Sequence, residues 1–205
     1  MEFKKINWPG LACSITAATL VALSILYAAP WWQLAIGDGL GQVEISPLDH
    51  KANLAGASIE IPIVWFLNII GKLTLAACMV AMFIYSVSTQ KPFSKKLLGF
   101  AYKKPLLILV LFAVILAVSA YVAAIFLGVN IPLNGTTTLS LSVGGADANI
   151  PISTSFTWVF WLAVATALLA IATKIYDWKI LKVPSAKTYN TESEIAIQKT
   201  NPRHT

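Results

Sequence analysis

Four long apolar runs constrain this chain more than any other feature. They occupy residues 11–29, 61–85, 106–127 and 156–173, and none contains an Asp or Glu. A helix needs roughly 20 apolar residues to cross the hydrocarbon of a bilayer. Each run approaches or exceeds that length. The expected fold class is therefore a membrane all-α, four-helix transmembrane bundle. Four buried helices of a soluble protein fit the composition poorly. Hydrophobic residues make up 57% of the chain and charged residues 12%, with a mean hydropathy of +0.72, against about 45–50% and about 25% in soluble domains.

The lysines give the bundle an orientation. Of 15 Lys and Arg, all but Lys51 and Lys72 lie on one side of the map. Lys4 and Lys5 precede the first run. Lys91, Lys95, Lys96, Lys103 and Lys104 fill the second connection. Lys174, Lys179, Lys182, Lys187, Lys199 and Arg203 follow the fourth run. Cytoplasmic flanks collect positive charge, so both termini are expected in the cytoplasm. The net charge of +6 then reflects topology and suits an anionic inner leaflet. It is not a nucleic-acid signal.

The expected organisation follows. Residues 1–10 are a cytoplasmic N-terminus and 11–29 a first, uncleaved span. Residues 30–60 are an outer loop with a β-hairpin, and 61–85 the second span. Residues 86–104 are a basic inner loop and 105–127 the third span. Residues 128–155 are an outer loop with β-strands, 156–176 the fourth span, and 177–205 a mobile tail. Indole rings favour the headgroup boundary. Trp31, Trp32, Trp65, Trp158 and Trp161 are expected to anchor the outer interface, and Trp8 and Trp178 the inner one.

Both outer loops carry strand signals. Residues 31–36 read as a strand, Gly37 to Gly41 as a turn, and 42–46 as a strand with Val43 and Ile45 on one face. Residues 47–55 read as loop and 57–63 as a further strand. In the second outer loop, Asn134-Gly135 turns the chain. Residues 136–143 alternate Leu139, Leu141 and Val143 against polar neighbours, Gly144-Gly145 turns again, and 149–153 form a short strand. Unpaired strands cannot stand in lipid. The two loops, the first and third connections, are therefore expected to join in one small extracellular β-sheet.

The halves look related. Gly56-Ala57 and Gly145-Ala146 each precede, three residues on, an Ile-Pro-Ile that leads to Trp65 or Trp158. This suggests a tandem repeat of a span–strands–span unit. Within the inner loop, Phe93, Leu97 and Phe100 have helical spacing. An interfacial helix over 93–102 competes there with a solvated loop. In layout, four spans with an outer sheet, the chain resembles the claudin group. That family's Gly-Leu-Trp motif is replaced here by Gly39-Leu40-Gly41, and its first-loop cysteine pair is absent. The resemblance therefore implies a layout and no function.

Chemistry is sparse. Lys72 lies inside the second span with Asn68 one turn earlier on the same face. An intramembrane charge is costly and marks a functional candidate. The alternative is a lysine whose stem snorkels toward the outer headgroups. No carboxylate in any span offers it a partner. Cys13 and Cys78, both within spans, read as apolar filler, with palmitoylation of Cys13 as the alternative. Asp49-His50-Lys51 reads as a solvated loop tip. No phosphate-binding loop, nucleophile motif or metal-ligand spacing occurs, so no catalytic, metal or cofactor site is expected. Asn134-Gly135-Thr136 is a glycosylation sequon in an outer loop.

The expected function is that of a non-enzymatic tetraspan scaffold in the plasma membrane. Its partners would be the lipid bilayer and, through the outer sheet, other membrane or surface proteins or further copies of itself. Two alternatives stand beside it. One is an accessory subunit of a larger respiratory or secretion complex. The other is a small oligomeric transporter or channel using Lys72 and Asn68.

Overall fold

The computed structural model describes residues 6–179 except 38, 61, 90, 92, 129, 144 and 145. The expected Gly144-Gly145 turn and residues 180–205 lie outside the described residues, while residues 177–179, expected to open the mobile tail, continue the last helix. Among the described residues, five helices and six strands follow one another. They are α1 (Trp8–Tyr27), β1 (Trp32–Ile36), β2 (Gly41–Ile45), β3 (His50–Leu54), β4 (Ala57–Ser58), α2 (Pro62–Val87), α3 (Ser94–Ala101), α4 (Lys103–Leu127), β5 (Gly135–Val143), β6 (Ala146–Phe156) and α5 (Trp158–Lys179).

Four helices are long and apolar enough to cross a membrane. They form a closed ring in which α1 packs on α2 and α5, and α4 completes the contact with both. The helix ends follow from local chemistry. Asn7 caps α1 by accepting a bond from the Gly10 N–H at 3.0 Å. Pro62 opens α2 at the first helical position, where its missing N–H costs nothing. α1 ends at Ala28, a non-glycine residue in the left-handed region at φ 46°. α4 leaves Val110, Val114, Val118, Tyr121 and Ile125 exposed along its length, an apolar flank that suits lipid.

All six strands join one antiparallel sheet in the order β4-β3-β2-β1-β6-β5. The chain enters and leaves it from α1, α2, α4 and α5, so it sits at one end of the ring. Pairing of β1 with β6, from Trp32 opposite Phe156 to Ile36 opposite Ile152, joins the two long connections. The alternation is clean. Trp32, Leu34, Ile36, Val43, Ile45 and Ile152 belong to the core, with Ala17, Leu20, Leu75, Phe112 and Val159 of the helices. Gln33, Gln42, Glu44 and Ser155 occupy the other face, with Gln33 bonded to Ser155 at 2.9 Å and Gln42 to Glu44 at 2.8 Å.

Two strand expectations need correction. Residues 50–54 form β3, not loop. His50-Lys51-Ala52-Asn53-Leu54 alternates only weakly, with Ala52 and Leu54 against Lys51 and Asn53, and register with β2 makes the strand, placing Lys51 opposite Glu44. β4 is only two residues long, because the chain turns into α2 at Pro62. Ala55 and Gly56, at φ 49° and 80°, close the β3–β4 hairpin as the two left-handed residues such a turn requires.

The matched Ile-Pro-Ile segments do not occupy equivalent places. Pro62 starts a helix, whereas Pro151 lies within β6, opposite Thr138. Pro151 is tolerated because its carbonyl faces the end of β1, where it accepts from Gly37 N at 2.7 Å. The N–H that proline lacks would point the same way, past the last β1 pair.

Candidate functional site

The turn between β2 and β3 is driven into the bundle. Ser46 closes it. Its N–H donates to the Asp49 carbonyl at 2.8 Å, and its Oγ accepts from Leu48 N and Asp49 N at 3.2 and 2.8 Å. Leu48, 1% exposed, packs in the core with Leu20 and Leu75. Its carbonyl accepts from Ser24 Oγ on α1 at 3.5 Å. On α2, a side chain at Gly71 would collide with the Pro47 carbonyl. The tip therefore lies between α1 and α2. Gly71 is about 14 Å along α2 from Pro62 at the helical rise. Irregular backbone at such depth needs protein cover, and Gly71, Ser24 and Leu48 provide it.

That insertion places two polar contacts on α2. Lys72 Nζ donates to Asp49 Oδ2 at 3.2 Å, with the two side chains 30% and 24% exposed. Asn68 Nδ2 lies 2.8 Å from His50 Nδ1. Asp49 Oδ1 also accepts the His50 backbone N–H at 2.9 Å. The absence of a carboxylate in the spans thus misled about Lys72. Its partner comes from the β2–β3 turn, because that turn enters the bundle. Asp49-His50-Lys51 is likewise not a loop tip in solvent: Asp49 and His50 face α2. Beside them a cavity of about 390 Å³ is lined by Asp49, His50, Lys51, Glu60 and Trp65, among others. Among the described residues no three metal-ligating side chains converge.

The opposite end of the bundle holds a second polar network that the sequence reading missed. Asn7 is fully buried. Its Nδ2 donates to Tyr85 Oη at 3.1 Å and to the Thr173 carbonyl at 3.3 Å, while its backbone N–H donates to the Ser86 carbonyl at 3.1 Å. Tyr85 Oη donates to Asp177 Oδ1 at 2.7 Å. One asparagine thus joins α1, α2 and α5. Gly10 permits the approach, since a side chain there would collide with Ser86 Oγ. Asn7 precedes the first apolar run, within residues 1–10, the expected cytoplasmic N-terminus. Its place just before Pro9, at the start of a helix, was the available signal.

α3 docks beside this network. Ser94, Leu98 and Ala101 are buried, while Phe93 and Phe100 are exposed.

The tryptophans divide. Trp8, Trp65, Trp158, Trp161 and Trp178 are each more than half exposed, at helix ends or one turn in. Trp31 and Trp32 are buried and do not present their rings at a boundary. Trp31 meets Phe112 edge-on at 5.3 Å and Phe160 at 6.5 Å. Trp32 donates to the Leu133 carbonyl at 2.8 Å. Trp32 opens β1 and Trp31 directly precedes it, and both rings belong to the core cluster beneath the sheet.

Cys13 and Cys78 are free thiols, both buried. Cys13 lies 3.5 Å from the Thr166 carbonyl, so it faces α5 and not lipid. Asn134 is exposed directly before β5. No family model, curated protein or solved structure matches this chain.

Proposed function

We propose that this chain is a non-enzymatic membrane scaffold that presents its sheet, on the outer side of the plasma membrane, to an extended segment of a neighbouring protein. The observation that carries the reading is the free edge of β5. The strand is nine residues long and pairs only with β6. Its sequence, Gly-Thr-Thr-Thr-Leu-Ser-Leu-Ser-Val, has no charge and no proline. Proteins commonly blunt exposed edges with lysine, proline or bulges, because open N–H and C=O groups template further strands. An unblunted edge suits strand addition, in which main-chain bonds supply affinity.

Register identifies the groups that would bond. Pro151 directs its carbonyl toward β1, so Thr138 opposite it directs its own N–H and C=O outward. The inserted tip supports the same reading, since it ties the sheet to the helices and keeps the edge in a fixed pose. The Lys72–Asp49 pair favours anchoring over an anion path, because a paired lysine is already neutralised. The lysine asymmetry supports the placement of the sheet outside.

The test uses photocrosslinkers at Thr136 and Ser140 in cells, with and without Thr138→Pro. Proline there removes an outward N–H but no bond to β6. A discrete crosslinked partner that disappears in the proline variant is expected, with thermal stability kept. A second copy of the chain as the crosslinked species would identify self-assembly through the same edge. Absence of any discrete adduct, or adducts indifferent to the proline, would overturn the proposal. An impermeant amine reagent on intact cells should label Lys51 and spare Lys95. The opposite pattern would remove the outer placement.

A further inference from the structure

We propose that Lys103 and Lys174, gathered around Tyr102, bind the phosphate of an anionic phospholipid headgroup at the end of the bundle opposite the sheet. The two ammonium groups come from different elements, the start of α4 and the last turns of α5. Lys103 Nζ lies 5.8 Å and Lys174 Nζ 5.7 Å from the centre of the same Tyr102 ring. Two like charges held over one ring repel each other. The ring itself compensates only weakly at a partly exposed site.

No carboxylate relieves that repulsion among the described residues, where the single ion pair is Lys72 with Asp49, at the other end. Asp177, near Lys174 on α5, accepts the Tyr85 hydroxyl. The same surface carries Lys91 over the ring of Phe93 at 5.6 Å and Lys104 over that of Phe100 at 5.8 Å. Lys95 and Lys96 are exposed on α3. The pattern is exposed aromatic rings with ammonium groups directly above them, on a helix docked to the bundle by Leu98 and Ala101.

A soluble polyanion would need only the lysines. Phe93 and Phe100 add apolar surface at the same level, which suits a ligand whose phosphate is attached to acyl or alkyl chains. Both lysines approach Tyr102, and its phenol hydroxyl is a donor of the kind a phosphate oxygen accepts. A lysine near an anionic surface contributes about a fivefold gain in binding, so two contribute about 30-fold.

The experiment places the full chain in nanodiscs of phosphatidylcholine alone or mixed with phosphatidylglycerol. Thermal midpoint and the lipids retained in native mass spectrometry are measured. The intact chain should be stabilised by phosphatidylglycerol and retain it over phosphatidylcholine. Lys103→Gln with Lys174→Gln should weaken that retention about 30-fold, while Lys95→Gln with Lys96→Gln should weaken it far less. Equal loss in both double variants would show a diffuse basic surface and overturn the clamp. Equal stabilisation by soluble glycerol phosphate in detergent would show a free-anion site and overturn the lipid assignment. Retention without lipid preference in the intact chain would overturn both. Should the glutamine pair not fold, Lys103→Arg with Lys174→Arg keeps the charge and must keep the preference.

Discussion

Asp49, in the turn between β2 and β3, lies 3.2 Å from Lys72, about three helical turns inside α2. The pair makes the sheet part of the bundle. Both side chains are less than one third exposed, between a surface pair worth about 0–1 kcal/mol and a buried one whose halves cannot be separated cheaply. Lys72→Met and Asp49→Asn should each destabilise by about 1–2 kcal/mol. The double variant should lose less than the sum. A double-mutant cycle on thermal midpoints measures this, and strict additivity would mean the two groups do not interact.

Gly71 and Gly99 predict opposite outcomes for the same substitution. Gly71→Ala drives a methyl group into the Pro47 carbonyl, which is backbone and cannot rotate away. It should expel the inserted tip and cost about 2 kcal/mol or more. Gly99→Ala meets open space in a helix and should stabilise by about 0.5–1 kcal/mol. Thermal midpoints in one detergent decide between them.

Asn7→Ala removes a helix cap and two buried side-chain donors in a single step. A cap is worth about 1 kcal/mol, and the Tyr85 hydroxyl left without its buried donor costs about 1–3 kcal/mol, whereas the Thr173 carbonyl lies inside α5, where helix bonding already pairs it. A loss of about 2–4 kcal/mol is expected. Hydrogen exchange should rise at the Asn7 end of α1 while the sheet stays protected. Uniform exchange across the molecule would show that the network is not local.

Ala28→Gly should stabilise. Ala28 holds φ 46° after α1, and a non-glycine residue in that region costs about 1–2 kcal/mol. The greater freedom of glycine in the unfolded chain offsets part of the gain, leaving about 0.5 kcal/mol. A lowered midpoint would show that the Ala28 methyl group packs usefully.

Much of the architecture was legible. The apolar runs mark the long helices, and the alternation at Trp32–Ile36, Gly41–Ile45 and Gly135–Val143 marks strands, because periodicity is a property of neighbours in the chain. β3 was not legible, since Ala52 and Leu54 are its only apolar residues and it exists through bonds to β2. Lys72 showed as unusual, but its partner could not be named. Asp49 is 23 residues away in a segment that reads as surface. Trp31 was assigned to a boundary by residue type, whereas its position under the sheet made it core.

By itself the sequence determined where the long apolar helices form, that the chain turns back between β1 and β2, and which end of the bundle is basic. Those properties depend on residues close together in the chain. Only the tertiary structure decided that β1 meets β6, that the Ser46–Asp49 turn enters between α1 and α2, and that Asn7 gathers three helices. Each joins segments far apart in the chain through backbone groups every residue carries, or through space that a missing side chain leaves open. Neither leaves a pattern in the order of residue types.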